Sequence, residues 1–167
     1  MDLMHYVDRG GVIVLILIVL NIIGWSIMVV KFFQLAFVNG KKTKVINATI
    51  ELLHKSNPQF MHQTLQNGLD TQIKSLESGL NTIRIIAVTS PLLGLLGTVI
   101  GVLSAFDSIA QNGLGETSLF ASGISVALIT TIAGLIVAIP HLMGYNYFIG
   151  RIDRIELDIQ KEVLAKI

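Results

Sequence analysis

Cysteine is absent from this sequence of 167 residues, and charged side chains are scarce. The missing thiols exclude disulfide bonds and thiolate metal sites, although they identify no compartment. Charged residues make up 14% of the chain and hydrophobic residues 52%, whereas roughly 25% of a typical soluble domain is charged. The net charge of +1 offers no electrostatic basis for binding nucleic acid. The composition therefore points away from a soluble or nucleic-acid-binding domain.

Three long stretches carry no Asp, Glu, Lys or Arg: residues 10–30, 85–106 and 117–150. Each is near or above the roughly 20 residues that cross a bilayer as a helix. No basic n-region precedes the first stretch and no small-x-small cleavage site follows it, so we expect it to stay as a transmembrane helix. The sequence predicts an all-α membrane protein with three transmembrane helices and long cytoplasmic helical extensions.

Basic residues set the orientation of these spans. Lysines and arginines follow the first span, precede the second and follow the third, whereas the loop between the second and third carries Asp107, Glu116 and no base. This pattern predicts a periplasmic N-terminus and a cytoplasmic C-terminus. The predicted segments are a short outer N-terminus 1–10, a first span 11–31, a cytoplasmic helical loop 32–84, a second span 85–106, a periplasmic loop 107–117, a third span 118–149 and a cytoplasmic C-terminal helix 150–167.

Two apolar stripes with helical spacing lie on the predicted cytoplasmic side. We expect the first to run as one long helix into the second span, after a turn at Asn57-Pro58, and the second to continue the third span inward. The stripes either pack on each other or pack against neighbouring copies. Their members are Leu69, Ile73, Leu76, Leu80 and Ile83, and Ile152, Ile155, Ile159, Val163 and Ile167.

The second and third spans each have a face of small residues, which in lipid allows helices to approach closely. On the second, Ser104 and Ala105 extend a row of glycines. We expect these faces to hold a homo-oligomer together, so that Gly97→Leu disrupts assembly. The residues assigned to helix packing are Gly94, Gly97, Gly101, Gly123, Ala127, Gly134, Pro91 and Pro140.

Two threonines, Thr98 and Thr131, lie at similar depth on these faces of successive antiparallel spans. Either hydroxyl alone has an ordinary alternative, which is a bond back to the carbonyl four residues earlier. Together they offer hydroxyls that can hydrogen-bond water or a proton carrier, but neither carries a proton itself at neutral pH. Thr130 is rotated by about 100° from Thr131 on an ideal helix and is expected to matter less.

Titratable groups inside the spans are few. His141, after Pro140, is the one candidate, and a neutral histidine hydrogen-bonded within a kink is favoured over a functional one. No Asp or Glu lies in the core of any span. If protons move here, another subunit must therefore supply the carboxylate. No metal or cofactor is expected.

The run TSPLLGLLGTVIGVLSAF, followed by GISVALITTIAGLIVAIPHLMGYNYF, resembles the ExbB/TolQ/MotA proton-channel family, and ExbB most of all. The resemblance is dense over 85–150 and looser over the first span, where GWSIMVVKFFQL is similar to the family's first helix. The motifs P-x-x-G-x-x-G-T-x-x-G and G-L-x-x-A-I-P-x-x-x-x-Y-N are together highly specific.

The resemblance implies a bacterial inner-membrane energy transducer. Such subunits form a homo-pentamer around the transmembrane helices of a single-span ExbD-type partner, whose aspartate carries the proton, and proton flow drives work on a TonB-type protein for active transport across the outer membrane. By motif, Thr98 and Thr131 would line the pore facing that aspartate. Ser104 and Thr130 are further candidates for the lining.

This chain departs from the family pattern in two places. Val126 stands where ExbB relatives carry a glutamate, so any role of that glutamate does not transfer, and the cytoplasmic loop is short for ExbB or TolQ. MotA is disfavoured because its relatives have four spans. The alternatives are a TolQ-like subunit of the Tol envelope-integrity system, a non-conducting membrane scaffold, and a transporter subunit. A transporter would need a charge or a broken helix in the membrane, and the sequence offers only His141 and Pro140 for that role. The sequence does not separate Ton from Tol service, and it identifies neither receptor, cargo nor subunit number.

Overall fold

Three long helices make up most of the protein. The computed structural model describes residues 3–37, 70, 73–113 and 117–165. Within them, α1 is Leu3–Ala36, α2 is Leu80–Asn112 and α3 is Thr117–Leu164. A short helical stretch at 73–77 precedes α2, and no strand occurs among these residues. The all-α prediction is confirmed.

All three helices are long and apolar enough to cross a membrane. The candidate spans are Gly10–Ala36, Leu80–Asn112 and Phe120–Val163, with mean hydropathies of 2.9, 2.1 and 2.2. The predicted spans 11–31 and 85–106 lie within the first two, and the predicted span 118–149 begins two residues before the third. The side of the membrane on which each end lies stays a prediction.

Glycine 79 interrupts the long helix that the apolar stripe predicts. Its φ is +83°, a left-handed conformation that side chains with a Cβ adopt only at a cost. The chain turns at residues 78–79, and α2 begins at Leu80. The expectation of one continuous helix from 69 into the second span is therefore wrong, although Pro91, the break that the sequence suggested, lies inside α2.

The first of two compact units contains α1 up to Ser26 together with Thr82–Met143. Each of the three helices gives one residue to its buried core, which consists of Leu17, Ile86 and Val137. Ile13, Leu20, Leu93 and Ala133 pack against this core. Because lipid tails are as apolar as these side chains, close packing rather than exclusion from water holds the helices together.

The second unit contains the described residues of Ile27–Asn81 and Gly144–Ile167. Alpha-3 continues unbroken to Leu164, as predicted for the C-terminal stripe. Its residues Ile152, Ile159 and Val163 are buried, and so are Ile73 and Leu80 of the other stripe. This burial within a single chain favours packing inside the subunit over packing between copies. Leu69, Ile167 and the Asn57-Pro58 turn lie outside the described residues.

Candidate functional site: a hydroxyl pair between two glycine-rich helices

Alpha-2 and α3 approach each other so closely that several positions accept only glycine. A Cβ atom added to Gly101 would lie 2.7 Å from the Gly123 carbonyl oxygen and 2.7 Å from the Ala127 nitrogen. A Cβ on Gly134 would lie 2.6 Å from the carbonyl oxygen of Ser90. Backbone atoms cannot move aside as a flexible side chain does, so the predicted helix-packing role of these glycines has a direct physical basis.

Gly94 and Gly97 continue the same contact. A Cβ on Gly94 would lie 3.1 Å from the Cα of Thr131, and a Cβ on Gly97 would collide with the side chain of Thr130. The partners of these glycines therefore lie in the same chain. The expectation that Gly97 faces a neighbouring copy is corrected, because α3 already fills the space beside it.

The close approach brings the hydroxyls of Thr98 and Thr131 into a direct hydrogen bond. The Thr98 oxygen also lies 3.2 Å from the carbonyl oxygens of Gly94 and Ala127, and the Thr131 oxygen lies 3.3 Å from that of Gly94. Both threonines are half-buried. The two hydroxyls that the sequence placed at similar depth thus form one polar group, which is partly accessible from outside the helix pair.

The two hydroxyl protons limit the hydrogen bonds that this polar group can form. Each hydroxyl has one proton to donate and two lone pairs. Whichever threonine donates to the other, the second donates to a backbone carbonyl, so both protons are used inside the chain. The group can still accept a hydrogen bond from an approaching donor. It can donate to an approaching acceptor only when one hydroxyl rotates away from its present partner.

The two further candidates for the pore lining lie elsewhere. Thr130 is fully buried against Gly97, and its hydroxyl donates to the carbonyls of Val126 and Ala127, both at 3.0 Å. Its burial corrects the expectation that it lines a pore. Ser104 is exposed on α2, and it is absent from the hydrogen bonds of the threonine pair.

His141 is fully buried, and its Nδ1 lies 2.6 Å from the Val137 carbonyl oxygen, one helical turn earlier. The favoured prediction, a histidine hydrogen-bonded within its own helix, describes this bond. The imidazole lies against Gly24 of α1 and makes an edge contact with Trp25, with ring centroids 6.3 Å apart. This contact with Gly24 could not be predicted from the sequence, because glycines in apolar helices are common.

The burial of Lys31 could not be predicted from the sequence, which shows only that basic residues follow the first span. In the structure the Lys31 side chain is 5% exposed. Its ammonium group donates at 3.0 Å to the side-chain oxygen of Gln34 and at 3.0 Å to the carbonyl of Leu76. The latter carbonyl lies at the end of the 73–77 helical stretch, where a positive charge is favourable. Lys31 therefore stabilises the chain next to the Gly79 turn.

The described residues contain no group of three or more His, Cys, Asp or Glu side chains that could bind a metal ion. Asp107 of α2 is exposed.

Comparison with known proteins identifies the family. Residues 38–161 match the MotA/TolQ/ExbB proton channel family. The chain is 39% identical over 85 residues to the biopolymer transport protein ExbB of Aquifex aeolicus, covering 51% of this chain and 57% of that protein. It is 33% identical over 93 residues to the ExbB of Xanthomonas campestris pv. campestris strain B100, covering 56% and 37%.

The Tol-Pal system protein TolQ of Haemophilus influenzae is also similar, at 38% identity over 90 residues, which cover 54% of this chain and 40% of that protein. The chain thus spans less than two thirds of the length of each of these relatives. With three helices able to span a membrane, it is a multi-pass membrane protein close to ExbB and TolQ. The chain belongs to the MotA/TolQ/ExbB proton channel family.

Proposed function

We propose that this chain is an ExbB-like subunit of a proton-conducting complex in the bacterial inner membrane. Copies of it surround the transmembrane helices of an ExbD-type, single-span partner, whose aspartate carries the proton. Proton flow through the complex performs work on a TonB-type protein for active transport across the outer membrane. The observation that carries the proposal is the hydrogen-bonded pair of Thr98 and Thr131, half-buried between two glycine-rich helices.

The partner is required because the uncharged stretches of the spans lack a carboxylate of their own. No carboxylate occurs in residues 85–106 or 117–150, and a threonine hydroxyl does not ionise at neutral pH. A protonated aspartic acid of the partner can donate its hydrogen bond to the free lone pairs of the pair. An ionised aspartate needs a donor, which the pair supplies only after one hydroxyl rotates. The pair thereby distinguishes the two protonation states of the carrier.

Assembly in several copies, with a pentamer as the expected number, agrees with the apolar surface that a single chain leaves uncovered. Large apolar side chains on α2 such as Leu92, Val99 and Phe106 are 59–66% exposed, and lipid, neighbouring copies or the partner can cover them. Native mass spectrometry in a mild detergent should therefore detect a multimer. A wild-type protein that is entirely monomeric under these conditions contradicts this part of the proposal.

The test of function is reconstitution with a single-span protein that carries one aspartate near the start of its span. Vesicles with both proteins should take up protons when a membrane potential is applied, and vesicles with either protein alone should not. Exchanging the partner's aspartate for asparagine should abolish uptake. If the assembled pair conducts no protons, the chain is a non-conducting scaffold instead.

The second candidate is a TolQ-like subunit of a Tol envelope-integrity system, which the similarity to the Haemophilus influenzae protein favours. In a Tol system the same proton pathway would drive a different protein in place of the TonB-type protein. Deleting the chain separates the two cases. Loss of TonB-dependent uptake with an intact envelope indicates the ExbB role, whereas leakage of periplasmic proteins with normal uptake indicates the TolQ role.

A further inference from the structure

The imidazole of His141 has one satisfied nitrogen and one that is not. Nδ1 lies 2.6 Å from the Val137 carbonyl oxygen. Nε2 is buried and has no hydrogen-bond partner among the described residues. It lies directly over Gly24 of α1, where an added Cβ would overlap the imidazole ring. The mechanism proposed above makes no use of this group.

The bond to Val137 determines where the imidazole proton lies. A backbone carbonyl only accepts hydrogen bonds, so Nδ1 carries the proton and Nε2 carries a lone pair. Protonating Nε2 would direct a charged N–H at the Cα of Gly24, which offers no acceptor. A buried charge without a hydrogen-bond partner is costly. The packed arrangement of α1 and α3 therefore offers no acceptor among the described residues for a second imidazole proton.

The stretches of α1 and α3 that hold Gly24 and His141 carry no charged side chain. Between Gly10 and Ser26, α1 carries no acidic or basic residue. On α2, the charged residues are Arg84 and Asp107, and both are exposed. On α3 the span from Phe120 to Met143 holds none. The contacts described for His141 in this unit are thus those with Gly24, Trp25 and the Val137 carbonyl.

We propose that His141 and Gly24 form a proton-sensitive latch between α1 and α3. With neutral imidazole the ring fills the space above Gly24 and α1 is docked. Uptake of a proton at Nε2 requires α1 to move away from the ring, so that water or another acceptor can reach the new N–H. Docking and protonation compete, and acidification therefore weakens docking. The predicted topology places His141 toward the cytoplasmic end of the predicted third span 118–149, which would make the latch a sensor of cytoplasmic acidity.

Trp25 is a built-in probe of this latch. It is the one tryptophan of the chain, and its ring makes an edge contact with His141. A protonated imidazole next to an indole quenches its fluorescence, and undocking of α1 changes its surroundings. We expect the emission of the purified wild-type protein to change reversibly when the pH is lowered from 8 to 5. This measurement needs no partner, so it is independent of the proposed proton pathway.

Two variants test whether the contact of His141 with Gly24 causes the pH response of the Trp25 emission. His141→Asn retains a donor for the Val137 carbonyl but does not titrate, and its emission should stay constant with pH. Gly24→Ala places a methyl group where the ring lies, so its emission at pH 8 should already resemble that of the acidified wild type. Replacing the other three histidines, His5, His54 and His62, with glutamine should leave the response unchanged.

Nitrogen NMR of labelled histidine tests the latch in the wild type, without any variant. At pH 8, one of the four histidine imidazoles should be neutral with its proton on Nδ1. The absence of any such imidazole would overturn the proposal. So would a Trp25 emission that is constant from pH 8 to pH 5, or a response that persists in His141→Asn.

Discussion

A hydroxyl group has a single proton, and this limits the hydrogen bonds that Thr98 and Thr131 offer to an approaching group. Their hydrogen bond and the nearby carbonyls use both protons within the chain. Free lone pairs remain on half-buried oxygens. In a bilayer, where unsatisfied polar groups are costly, this arrangement allows a protonated acid to bind without leaving any protein group unpaired.

Removal of either hydroxyl should impair energy transduction. A net hydrogen bond contributes about 0.5–1.5 kcal/mol, and a potential of 100 mV supplies roughly 2.3 kcal/mol per proton. Because the two quantities are comparable, Thr98→Val and Thr131→Val should assemble normally yet lose most growth on iron sources that need TonB. Thr98→Ser keeps the hydroxyl and should retain most of the growth.

Thr130→Val is the matched control for this pair. The Thr130 hydroxyl is fully buried and donates only to carbonyls of its own helix. Its removal should therefore leave growth close to that of the wild type. Equal, near-normal growth of the variants at 98, 130 and 131 would show that all three threonines serve packing alone.

Sequence reasoning predicted the threonine pair but not its neighbours. The antiparallel order of two spans and the shared small faces were enough to place Thr98 near Thr131. The role of Thr130 depends on the rotation of α3, which Gly97 determines by receiving the Thr130 side chain. The contact of His141 with Gly24 depends on how α1 lies against α3, and no periodicity within one helix reports it.

At the scale of helices, the contact of α2 with α3 depends on glycines that face backbone atoms. Gly101→Ala would place its methyl group 2.7 Å from atoms of Gly123 and Ala127. Overpacking of this kind costs about 1–3 kcal/mol. We therefore expect this variant to lower the thermal stability of the chain itself, even when it is monomeric in detergent.

Gly150→Ala provides the control for that measurement. Gly150 lies within α3, and a Cβ there meets nothing within 4 Å. Alanine favours a helix over glycine by roughly 0.5–1 kcal/mol, so this variant should be as stable as the wild type or more so. An equal loss of stability in both variants would contradict the close helix contact.

The turn before α2 is a second test of the helical architecture. Gly79 has a φ of +83°, and a left-handed conformation costs other residues about 1–2 kcal/mol. Gly79→Ala should lower the stability of the chain, whereas Gly79→Asn should lower it less, because asparagine tolerates this conformation better. Thermal unfolding of both variants in the same detergent checks the order.

This turn also shows why helix boundaries escaped prediction. The apolar stripe keeps its spacing through Leu76, Leu80 and Ile83, so periodicity alone predicts one helix. The break depends on a backbone angle at Gly79 and on Lys31, whose ammonium group binds the Leu76 carbonyl from another part of the chain. Such contacts arise in three dimensions and leave no local pattern.

At the scale of the whole molecule, we propose that a partner carries the moving proton and that this chain forms the surrounding channel wall. Asp107 is exposed at the end of α2, outside the uncharged stretch. Asp107→Asn and Glu116→Gln should therefore each keep most of the proton flux in the reconstituted complex. A large loss in either variant, with assembly intact, would show that this chain supplies an essential carboxylate.

The most direct test of the central claim is voltage-driven proton uptake into vesicles that contain the chain and its single-span partner. The measurement compares the wild type with the double variant Thr98→Val, Thr131→Val at equal amounts of assembled complex. We expect robust proton uptake by the wild-type complex and a loss of most proton uptake in the double variant. Equal uptake by both complexes would contradict it, because the hydroxyl pair would then take no part in proton movement.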